Sequence, residues 1–233
     1  MVVPNARVEP RRHLRWLNPI HTYFRRKRIQ EFVDLFQPAD ATTILDVGGT
    51  PQNWRLVAAQ PQLILLNLPG KQPENLPSNM TAVGGDGCNL QYADKSFDLA
   101  FSNSAIEHVG TWDNQKAFAS ELRRVGRSYY VQTPSKWFPV EPHILTVGVQ
   151  WLPRKWQYRL IRYTSLVGLV RKVSPAWVDG FLDEVRLLTY GECRTLFPES
   201  DIKRERFLGI TKSFVISYQG NGAQSKGNSE TPE

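Results

Sequence analysis

The sequence contains few cysteines, no long hydrophobic run and no completed dinucleotide-binding motif. Its two cysteines, Cys88 and Cys193, form neither a disulfide framework nor a zinc-ligand pattern, which predicts a reducing, cytoplasmic setting and no metal site. The most apolar stretch, at 160–170, is short and is interrupted by Arg162, which argues against a bilayer-spanning helix. The first residues contain no apolar segment of signal-peptide length. These absences predict a soluble protein.

The net charge of the 233 residues is +7, and the basic residues are unevenly spread. Residues 1–36 contain eight Lys or Arg against three acids, and residues 144–185 contain six against three. A basic surface of this kind can meet nucleic acid, anionic lipid or a phosphorylated substrate, and it can equally serve only to keep the protein soluble. The length allows one large domain with a full core.

Strand-like and helix-like segments alternate along most of the chain. Apolar residues recur at helical spacing over 21–36, Pro51 suits the first turn of a helix, and Asp113 is placed to cap a helix that runs to residue 125. Short aliphatic runs predict strands at 43–47, 62–67, 80–85, 97–102 and 128–132. This alternation predicts a mainly parallel sheet with helices on both faces.

The end of the chain predicts a different strand pairing. A helix at 189–197 precedes strands at 202–207 and 212–218, and the short link between these strands predicts an antiparallel pair. We predict a basic N-terminal arm at 1–17, one domain at 18–218 and a disordered tail at 219–233.

One segment interrupts the alternation. Residues 134–187 are rich in Pro, Trp and Arg and are too long for an ordinary strand-to-helix loop, so we predict an insertion that caps the substrate. Its tryptophans and basic residues can form an apolar pocket, stack on a sugar or rest at a lipid headgroup layer. A local core with a solvated basic face is the structural alternative. The tryptophans are Trp137, Trp151, Trp156 and Trp177.

The stretch TTILDVGGTPQNW, residues 43–55, starts like a nucleotide-binding strand and turn. Gly48 and Gly49 follow the strand, where backbone N–H groups and the lack of side chains allow a ligand to approach closely. Thr50 and Pro51 then replace the later glycine of a dinucleotide motif, and Asp46 precedes the turn. The pattern disfavours an NAD-linked oxidoreductase, because the glycines do not complete a pyrophosphate site.

Polar residues also follow the next three predicted strands. Asn67 stands where a dinucleotide fold carries an acid for the ribose hydroxyls, and a carboxylate at Asp86 can accept a hydrogen bond from adenine. The fourth strand ends in Ser102, Asn103 and Ser104, followed by Glu107 and His108. Ligands bind at the carboxyl ends of parallel strands, so these four strand ends predict one ligand-binding rim.

The order ILDVGG, LLNL, GDGCNL and FDLAFSNSAIEHV resembles the class I S-adenosylmethionine-dependent methyltransferases, particularly the large type 11-like group acting on small molecules. The resemblance covers residues 40–135, and the closing strands are consistent with it to about residue 218. It implies an α/β, Rossmann-like fold: a seven-stranded, mainly parallel sheet with an antiparallel last strand and a helical insertion after the fifth strand. S-adenosyl-L-methionine is the implied cofactor.

The resemblance also implies which residues bind that cofactor. Asp46, Gly48 and Gly49 match the motif around the methionine moiety, and Asn67 matches the ribose position, which is usually acidic. The adenine side matches Asp86, Gly87 and Cys88, and the segment that lines the cofactor matches Ser102, Asn103 and Ser104. Asn67 and the pair Thr50-Pro51 depart from the family pattern. These departures either weaken cofactor binding or mark a subgroup with its own geometry.

The implied reaction is direct displacement of a methyl group from a sulfonium by an oxygen, nitrogen or carbon atom. A general base assists when the nucleophile is a hydroxyl. The candidates are Glu107 and His108 at the rim, and Glu141 and His143 just past the fifth strand. His143 is favoured by its position and by the near-neutral pKa of an unperturbed histidine, although a lone histidine is more often structural.

The sequence therefore predicts a methyltransferase for a small-molecule acceptor, such as a glycan, a lipid-linked compound or a secondary metabolite. It also allows peripheral contact with an anionic membrane through the basic and Trp-rich segments. An RNA methyltransferase is an alternative supported only by the basic balance, since no RNA-recognition segment is present. The other alternative is a binding protein that keeps the fold and binds the cofactor without turnover, which Asn67 and the lost glycine suggest.

Overall fold

The structure, a computed structural model, describes residues 18–220. The predicted basic arm at 1–17 and residues 221–233 of the predicted tail lie outside this range. Among the described residues, no helix is both long enough and apolar enough to cross a membrane.

Seven strands form one sheet, and its order confirms the predicted fold class. The strands are β1 (Thr43–Val47), β2 (Gln62–Asn67), β3 (Met80–Gly84), β4 (Phe97–Asn103), β5 (Gly126–Pro134), β8 (Asp201–Phe207) and β9 (Ile210–Tyr218). They lie in the order β3-β2-β1-β4-β5-β9-β8. The first five run parallel, whereas β9 is antiparallel to both β5 and β8. Strands β2 and β3 are added on one side of β1 and β4 on the other, and this switch in strand order places a crevice at the carboxyl ends of β1 and β4.

Four helices pack beside this sheet. They are α1 (Asn18–Phe36), α2 (Pro51–Trp54), α3 (Trp112–Val125) and α7 (Tyr190–Leu196). Pro51 begins α2 as predicted. The prediction that Asp113 caps α3 is wrong, because the side chain of Thr111 accepts the hydrogen bond from Asn114 N at this helix start. Asp113 lies in the first turn, exposed, and pairs with Lys116 at 2.7 Å.

Apolar clusters cover both faces of the sheet. On one face, Phe118 and Leu122 of α3 pack with Leu45 and Val131 of the central strands. On the other face, Phe32 of α1 packs against the remaining sheet residues together with Trp54 of α2. Both faces are buried at the central strands β1, β4 and β5, as a parallel sheet between helices requires, whereas the edge strand β8 is largely exposed.

The insertion predicted at 134–187 folds into its own small unit. A short hairpin of β6 (Val140–Glu141) and β7 (Thr146–Val147) leads into α4 (Arg154–Tyr163), α5 (Leu166–Arg171) and α6 (Pro175–Glu184). Ile144, Ile161, Val178 and Phe181 form a separate buried cluster there. The alternative of a local core is therefore correct for these residues of the insertion. We call the whole insertion the cap.

The start of α7 gives a test of the fold. Thr189 and Glu192 form a capping box in which the Thr189 hydroxyl accepts from Glu192 N at 3.3 Å and Glu192 Oε2 accepts from Thr189 N at 2.8 Å. We expect Thr189→Ala to lower the free energy of unfolding by about 1 kcal/mol, measured by urea denaturation. Thr195→Ala is the control, because that exposed hydroxyl only donates to Gly191 O within the same helix. Equal stability of the two variants would contradict the assigned cap.

Candidate functional site

A cavity of about 350 Å³ opens at the carboxyl ends of β1, β2, β3 and β4. We call it the rim cavity. The predicted residues that line it are Gly48, Asn67, Asp86, Gly87, Cys88, Ser104 and His108. Thr50, Asn114 and Phe118 also line it, and no sequence motif had pointed to the latter two. The fold thus brings residues from all four strand ends together, while their role in cofactor binding stays a prediction.

Two glycines allow the chain to pass closely around the rim cavity. Gly48 has φ +80°, and a Cβ there would lie 2.7 Å from the Cβ of Ala105. A Cβ on Gly87 would lie 2.7 Å from the ring of Phe118 and 2.8 Å from Val47. Neither position accepts a side chain without movement of its neighbours, so both glycines are required by local packing as well as by any ligand.

Asp46 lies beneath the turn rather than in the rim cavity. It is fully buried, and its Oδ2 accepts a hydrogen bond of 2.8 Å from Trp54 Nε1. Its Oδ1 has no hydrogen-bond partner in the described part of the chain. Burial raises the pKa of Asp46 from 3.8 to about 7, against the lowering effect of the Trp54 hydrogen bond. A Cβ on Gly49 would lie 2.1 Å from this carboxyl group, so Gly49 makes room for Asp46.

Asn67 lines the rim cavity with an unsatisfied oxygen. Only 3% of the residue is exposed, and its Nδ2 donates to Gly49 O at 2.9 Å. Its Oδ1 has no partner among residues 18–220. Buried polar atoms are rarely left unpaired, so this oxygen is suited to accept a hydrogen bond from a ligand hydroxyl.

The adenine-side residues form a tight turn at the mouth of the cavity. Asp86 is exposed, and its Oδ1 accepts from Cys88 N at 2.9 Å. The thiol of Cys88 donates to Asn114 O at 3.4 Å. Burial, followed by the charge of Asp86, raises the pKa of Cys88 to about 11, so this thiol stays protonated at neutral pH and is a poor nucleophile.

The three polar residues after β4 occupy different environments. Ser102 is buried and donates to Val47 O at 3.1 Å, which ties β4 to β1. Asn103 is half-buried, and neither it nor Ser102 lines the rim cavity. Ser104 does line it, in the left-handed conformation at φ +56°. Gln132 holds Ser104 by accepting from its backbone N at 2.9 Å and from its hydroxyl at 2.7 Å.

All four predicted catalytic residues meet in one place. The rings of His108 and His143 lie edge to face, with their centroids 4.7 Å apart. Glu141 Oε1 lies 2.6 Å from His143 Nδ1, and Glu107 is completely buried beside them. We call Glu107, His108 and His143 the histidine cluster. It combines a turn after β4 with a loop of the cap, separated by 35 positions in the chain.

Acidic and hydroxyl groups fix the histidine cluster. Glu141 is 3% exposed, and its Oε2 accepts from the backbone N of His143 and of Ile144, both at 2.8 Å. Glu107 Oε2 accepts from the Thr133 hydroxyl at 3.1 Å. Glu184 Oε1 lies 3.3 Å from His108 Nδ1. Sequence reasoning missed Thr133 and Glu184, because nothing in their local sequence shows that the fold brings them here.

A second cavity, of about 160 Å³, lies within the cap. Glu141 forms part of its wall, as do Lys136, Gln150, Phe181 and Arg186. His108 lines the rim cavity, His143 contacts His108, and Glu141 lines the cap cavity. The histidine cluster is therefore positioned between the two cavities.

A family model described as "Methyltransferase domain" matches residues 57–128. The match runs from before β2 into β5, and it includes Asn67, Asp86 and the turn that carries Glu107 and His108. The sheet order, with the antiparallel β9 between β5 and β8, agrees with the fold that the methyltransferase resemblance implies. Residues 57–128 are thus similar to a methyltransferase domain, and the sheet around them has the fold of the class I S-adenosylmethionine-dependent methyltransferases.

Solved structures similar to this chain agree in fold. An S-adenosylmethionine-dependent methyltransferase from Methanosarcina mazei has a TM-score of 0.50 at 14% identity, covering 81% of this chain and 96% of the other. A structure described as a zinc-dependent alcohol dehydrogenase from Rhodobacter sphaeroides has a TM-score of 0.51 at 9% identity, covering 84% of this chain and 89% of the other. At these identities the likeness shows the shared fold alone.

Curated relatives of this chain match over a short segment. Two uncharacterized proteins of Mycobacterium tuberculosis are 39% identical to it over 51 residues, which is 22% of this chain. The matched segment spans 17% of each relative's length. These relatives therefore add no acceptor.

The similarity to methyltransferase domains implies S-adenosylmethionine, and the rim cavity fits such a ligand. Asn67 Oδ1 is a buried acceptor without a partner in the described range, as a ribose hydroxyl requires. The close-packed Gly48 and Gly87 bring backbone to the cavity wall. Pro51 occupies the first turn of α2, where a missing N–H is tolerated, so it is compatible with the turn that departs from the family pattern.

The buried Asp46 carboxyl predicts a pH-dependent stability. Because its folded pKa is raised to about 7, the native state binds more protons than the unfolded chain between about pH 4 and 7. The stabilising contribution of the neutral carboxyl is complete below about pH 4 and is lost as the pH rises towards 7. We expect Asp46→Asn to abolish a loss on the order of 4 kcal/mol across this window.

The measurement is urea denaturation of the wild type and of Asp46→Asn at several pH values from 4 to 8. Asn retains an oxygen that can accept from Trp54. Asp34→Asn, at an exposed site on α1, is the control and should keep the wild-type slope. Parallel pH profiles for the wild type and Asp46→Asn would contradict the raised pKa.

Proposed function

We propose that this protein transfers a methyl group from S-adenosylmethionine to an oxygen, nitrogen or carbon atom of a small-molecule acceptor. The observation that supports it most is the position of the histidine cluster between the rim cavity and the cap cavity. A methyl donor in the first cavity and an acceptor in the second would meet at these side chains. Alignment of the two reactants in this way contributes several kcal/mol, on the order of 7 or more in favourable cases.

In this proposal the residues of the rim cavity bind and orient the cofactor. Asn67 Oδ1 accepts from a ribose hydroxyl, and its Nδ2 keeps the carbonyl of Gly49 fixed. Asp86 is held by Cys88 N at the mouth of the cavity, on the side assigned to adenine. The bound cofactor supplies an electrophilic methyl group on a sulfonium, which becomes a neutral thioether on transfer. No new anion then needs to be stabilised on the cofactor by the protein.

The cap cavity supports a small acceptor rather than a nucleic acid. Its volume of about 160 Å³ suits one sugar-sized or ring-sized group, and Ile161 and Phe181 give it an apolar wall. Lys136 also lines it and forms no ion pair within residues 18–220, so it is available to an anionic or hydroxylated acceptor. The alternative function, a protein that binds the cofactor without catalysing methyl transfer, predicts cofactor binding but no acceptor that becomes methylated.

Asn67 gives the test of the cofactor site. We expect Asn67→Ala to weaken binding of S-adenosylmethionine and of its demethylated product by about tenfold, equivalent to one hydrogen bond of about 1.4 kcal/mol. The measurement is isothermal titration calorimetry. Asn79→Ala is a matched control, since Asn79 Nδ2 likewise donates to a backbone carbonyl, Pro61 O at 2.9 Å, away from the rim cavity.

The outcomes separate the proposed function from its alternatives. Folded wild-type protein that binds neither compound would contradict the proposal, and binding of NAD instead would favour an oxidoreductase. Equal cofactor affinities of the Asn67→Ala and Asn79→Ala variants would show that Asn67 does not contact the cofactor. Methylation of RNA, with binding that weakens steeply with salt, would favour the RNA alternative.

We also propose that the outer face of the cap contacts anionic membranes, which suits a lipid-linked acceptor. Trp137, Trp151 and Trp156 are 61%, 44% and 55% exposed, and the first two rings lie 6.3 Å apart. Arg159 lies over the ring of Trp156 at 5.7 Å, and Lys155 is exposed next to it in sequence. Indole rings with nearby cations favour the headgroup layer of a bilayer.

Vesicle sedimentation tests the membrane contact. The wild type should bind vesicles of mixed phosphatidylserine and phosphatidylcholine more strongly than pure phosphatidylcholine, and salt should weaken the difference. The double variant Trp137→Ser/Trp151→Ser should reduce binding at least several-fold. Leu208→Ser is the control, because Leu208 is 86% exposed in the turn between β8 and β9. Unchanged vesicle binding of the double variant would contradict the proposal that this face of the cap contacts the membrane.

A further inference from the structure

We propose that the histidine cluster, Glu107, His108 and His143, binds one divalent transition-metal ion at the boundary between the rim cavity and the cap cavity. The ion's catalytic role rests on the proposed function, whereas the binding site itself rests on the geometry of these residues alone. The sequence predicted no metal site, because the cluster has no recognisable spacing before the chain folds.

The three side chains lie close enough to share an ion. One ligand atom from each, a carboxylate oxygen of Glu107 and a ring nitrogen of each histidine, lies within 4.8 Å of the other two. Ligand atoms at about 2.1 Å from a common ion lie roughly 3 to 4 Å apart. Binding therefore needs only a small inward movement of side chains that already face one another.

Glu107 supplies an observation that a purely structural role does not explain. The residue is completely buried, and Thr133 satisfies only its Oε2. Its Oε1 has no hydrogen-bond partner in the described structure. A buried carboxylate oxygen without a partner is costly, and a coordinated cation is one of the few groups that can compensate for it.

Both histidines are oriented through Nδ1 by a carboxylate. Glu141 Oε1 lies 2.6 Å from Nδ1 of His143, and Glu184 Oε1 lies 3.3 Å from Nδ1 of His108. Coordination would then use Nε2 of each ring. A carboxylate on the second ring nitrogen fixes the orientation of a metal-bound histidine and raises its basicity, and such pairs are typical of metal sites.

The set of donors indicates the class of ion. Two imidazoles and one carboxylate suit Mn²⁺, Fe²⁺, Co²⁺ or Zn²⁺, whereas Mg²⁺ and Ca²⁺ prefer oxygen ligands throughout. Three protein ligands also leave coordination positions open. In this proposal an acceptor that approaches from the cap cavity occupies one of these positions.

The ion would activate an acceptor hydroxyl for the proposed reaction. A coordinated hydroxyl loses its proton to solvent more readily, because the cation stabilises the alkoxide. The alkoxide oxygen then forms the bond to the methyl carbon, and the electron pair of the broken carbon–sulfur bond stays on sulfur. One proton is released for each methyl group transferred, so atoms and charge balance without an oxidant or reductant.

A metal-free base at His143, oriented by Glu141, is the competing role for the same residues. It uses the Glu141–His143 hydrogen bond but assigns no function to the buried Glu107 oxygen or to the second carboxylate–histidine pair. Metal binding measured directly, without turnover, distinguishes the two roles.

The test is titration of the chelator-treated full chain with Mn²⁺, Co²⁺ and Zn²⁺ by calorimetry, together with the visible absorption of bound Co²⁺. We expect one ion per chain. His108→Ala, His143→Ala and Glu107→Gln should each weaken binding by more than about 100-fold, and Glu141→Gln by about tenfold. His21→Ala removes a histidine of α1 far along the chain from the cluster and is the matched control, with unchanged affinity expected.

Each result bears on one proposal. Absence of ion binding in protein that still binds S-adenosylmethionine would overturn the metal site and leave the proposed function intact. One bound ion that survives both His108→Ala and His143→Ala would also overturn the site. Ion binding lost in the cluster variants, in protein that does not bind S-adenosylmethionine, would support the site and contradict the proposed function. If Glu107→Gln fails to fold, judged by its unfolding transition, the two histidine variants decide the question.

Discussion

The buried carboxyl of Asp46 determines the form of the first turn of the sheet. Gly49 must lack a side chain because the Asp46 carboxyl occupies that space, and Trp54 of α2 is held by the hydrogen bond it donates to Oδ2. Asn67 then ties the carbonyl of Gly49 to the end of β2. The turn is thus held by the Asp46 carboxyl, which does not line the cavity. Gly48 and Gly49 are therefore required by local packing, whether or not a ligand is bound. These contacts define the turn without the later glycine of a dinucleotide site.

The cap completes the site from the other side. β4 delivers Glu107 and His108 to the sheet's rim, whereas His143 comes from a cap loop whose conformation Glu141 sets by accepting two backbone N–H groups. Arg186 links the two parts, since its backbone N donates to Glu107 O and its guanidinium contacts Gln115 of α3. The cap has its own small apolar core, and its His143 ring contacts that of His108. The sheet and its motifs carry the similarity to methyltransferase domains, while in the proposed function the cap binds the acceptor.

The parts of the fold that local patterns determine were predictable. Aliphatic runs located the first five strands of the sheet, and the predicted ends of all seven strands lie within two residues of the observed ends. The short link between β8 and β9 predicted their antiparallel pairing. Capping was less predictable, because Thr111 and Asp113 are both suitable N-cap residues and only the backbone conformation selects Thr111. The pairing of His108 with Glu184 and of Glu107 with Thr133 was not predictable, since it depends on how the cap folds back on the sheet. For the same reason the sequence suggested isolated candidate bases rather than a cluster.

A crystal structure of the full chain with S-adenosylhomocysteine, the demethylated product, tests the central claim most directly. The account predicts the ligand in the rim cavity, with its ribose hydroxyls at Asn67 Oδ1, its adenine beside Asp86 and its sulfur directed towards His108 and His143. Product density in the cap cavity, or at any place that leaves Asn67 Oδ1 without a ligand partner, would contradict it.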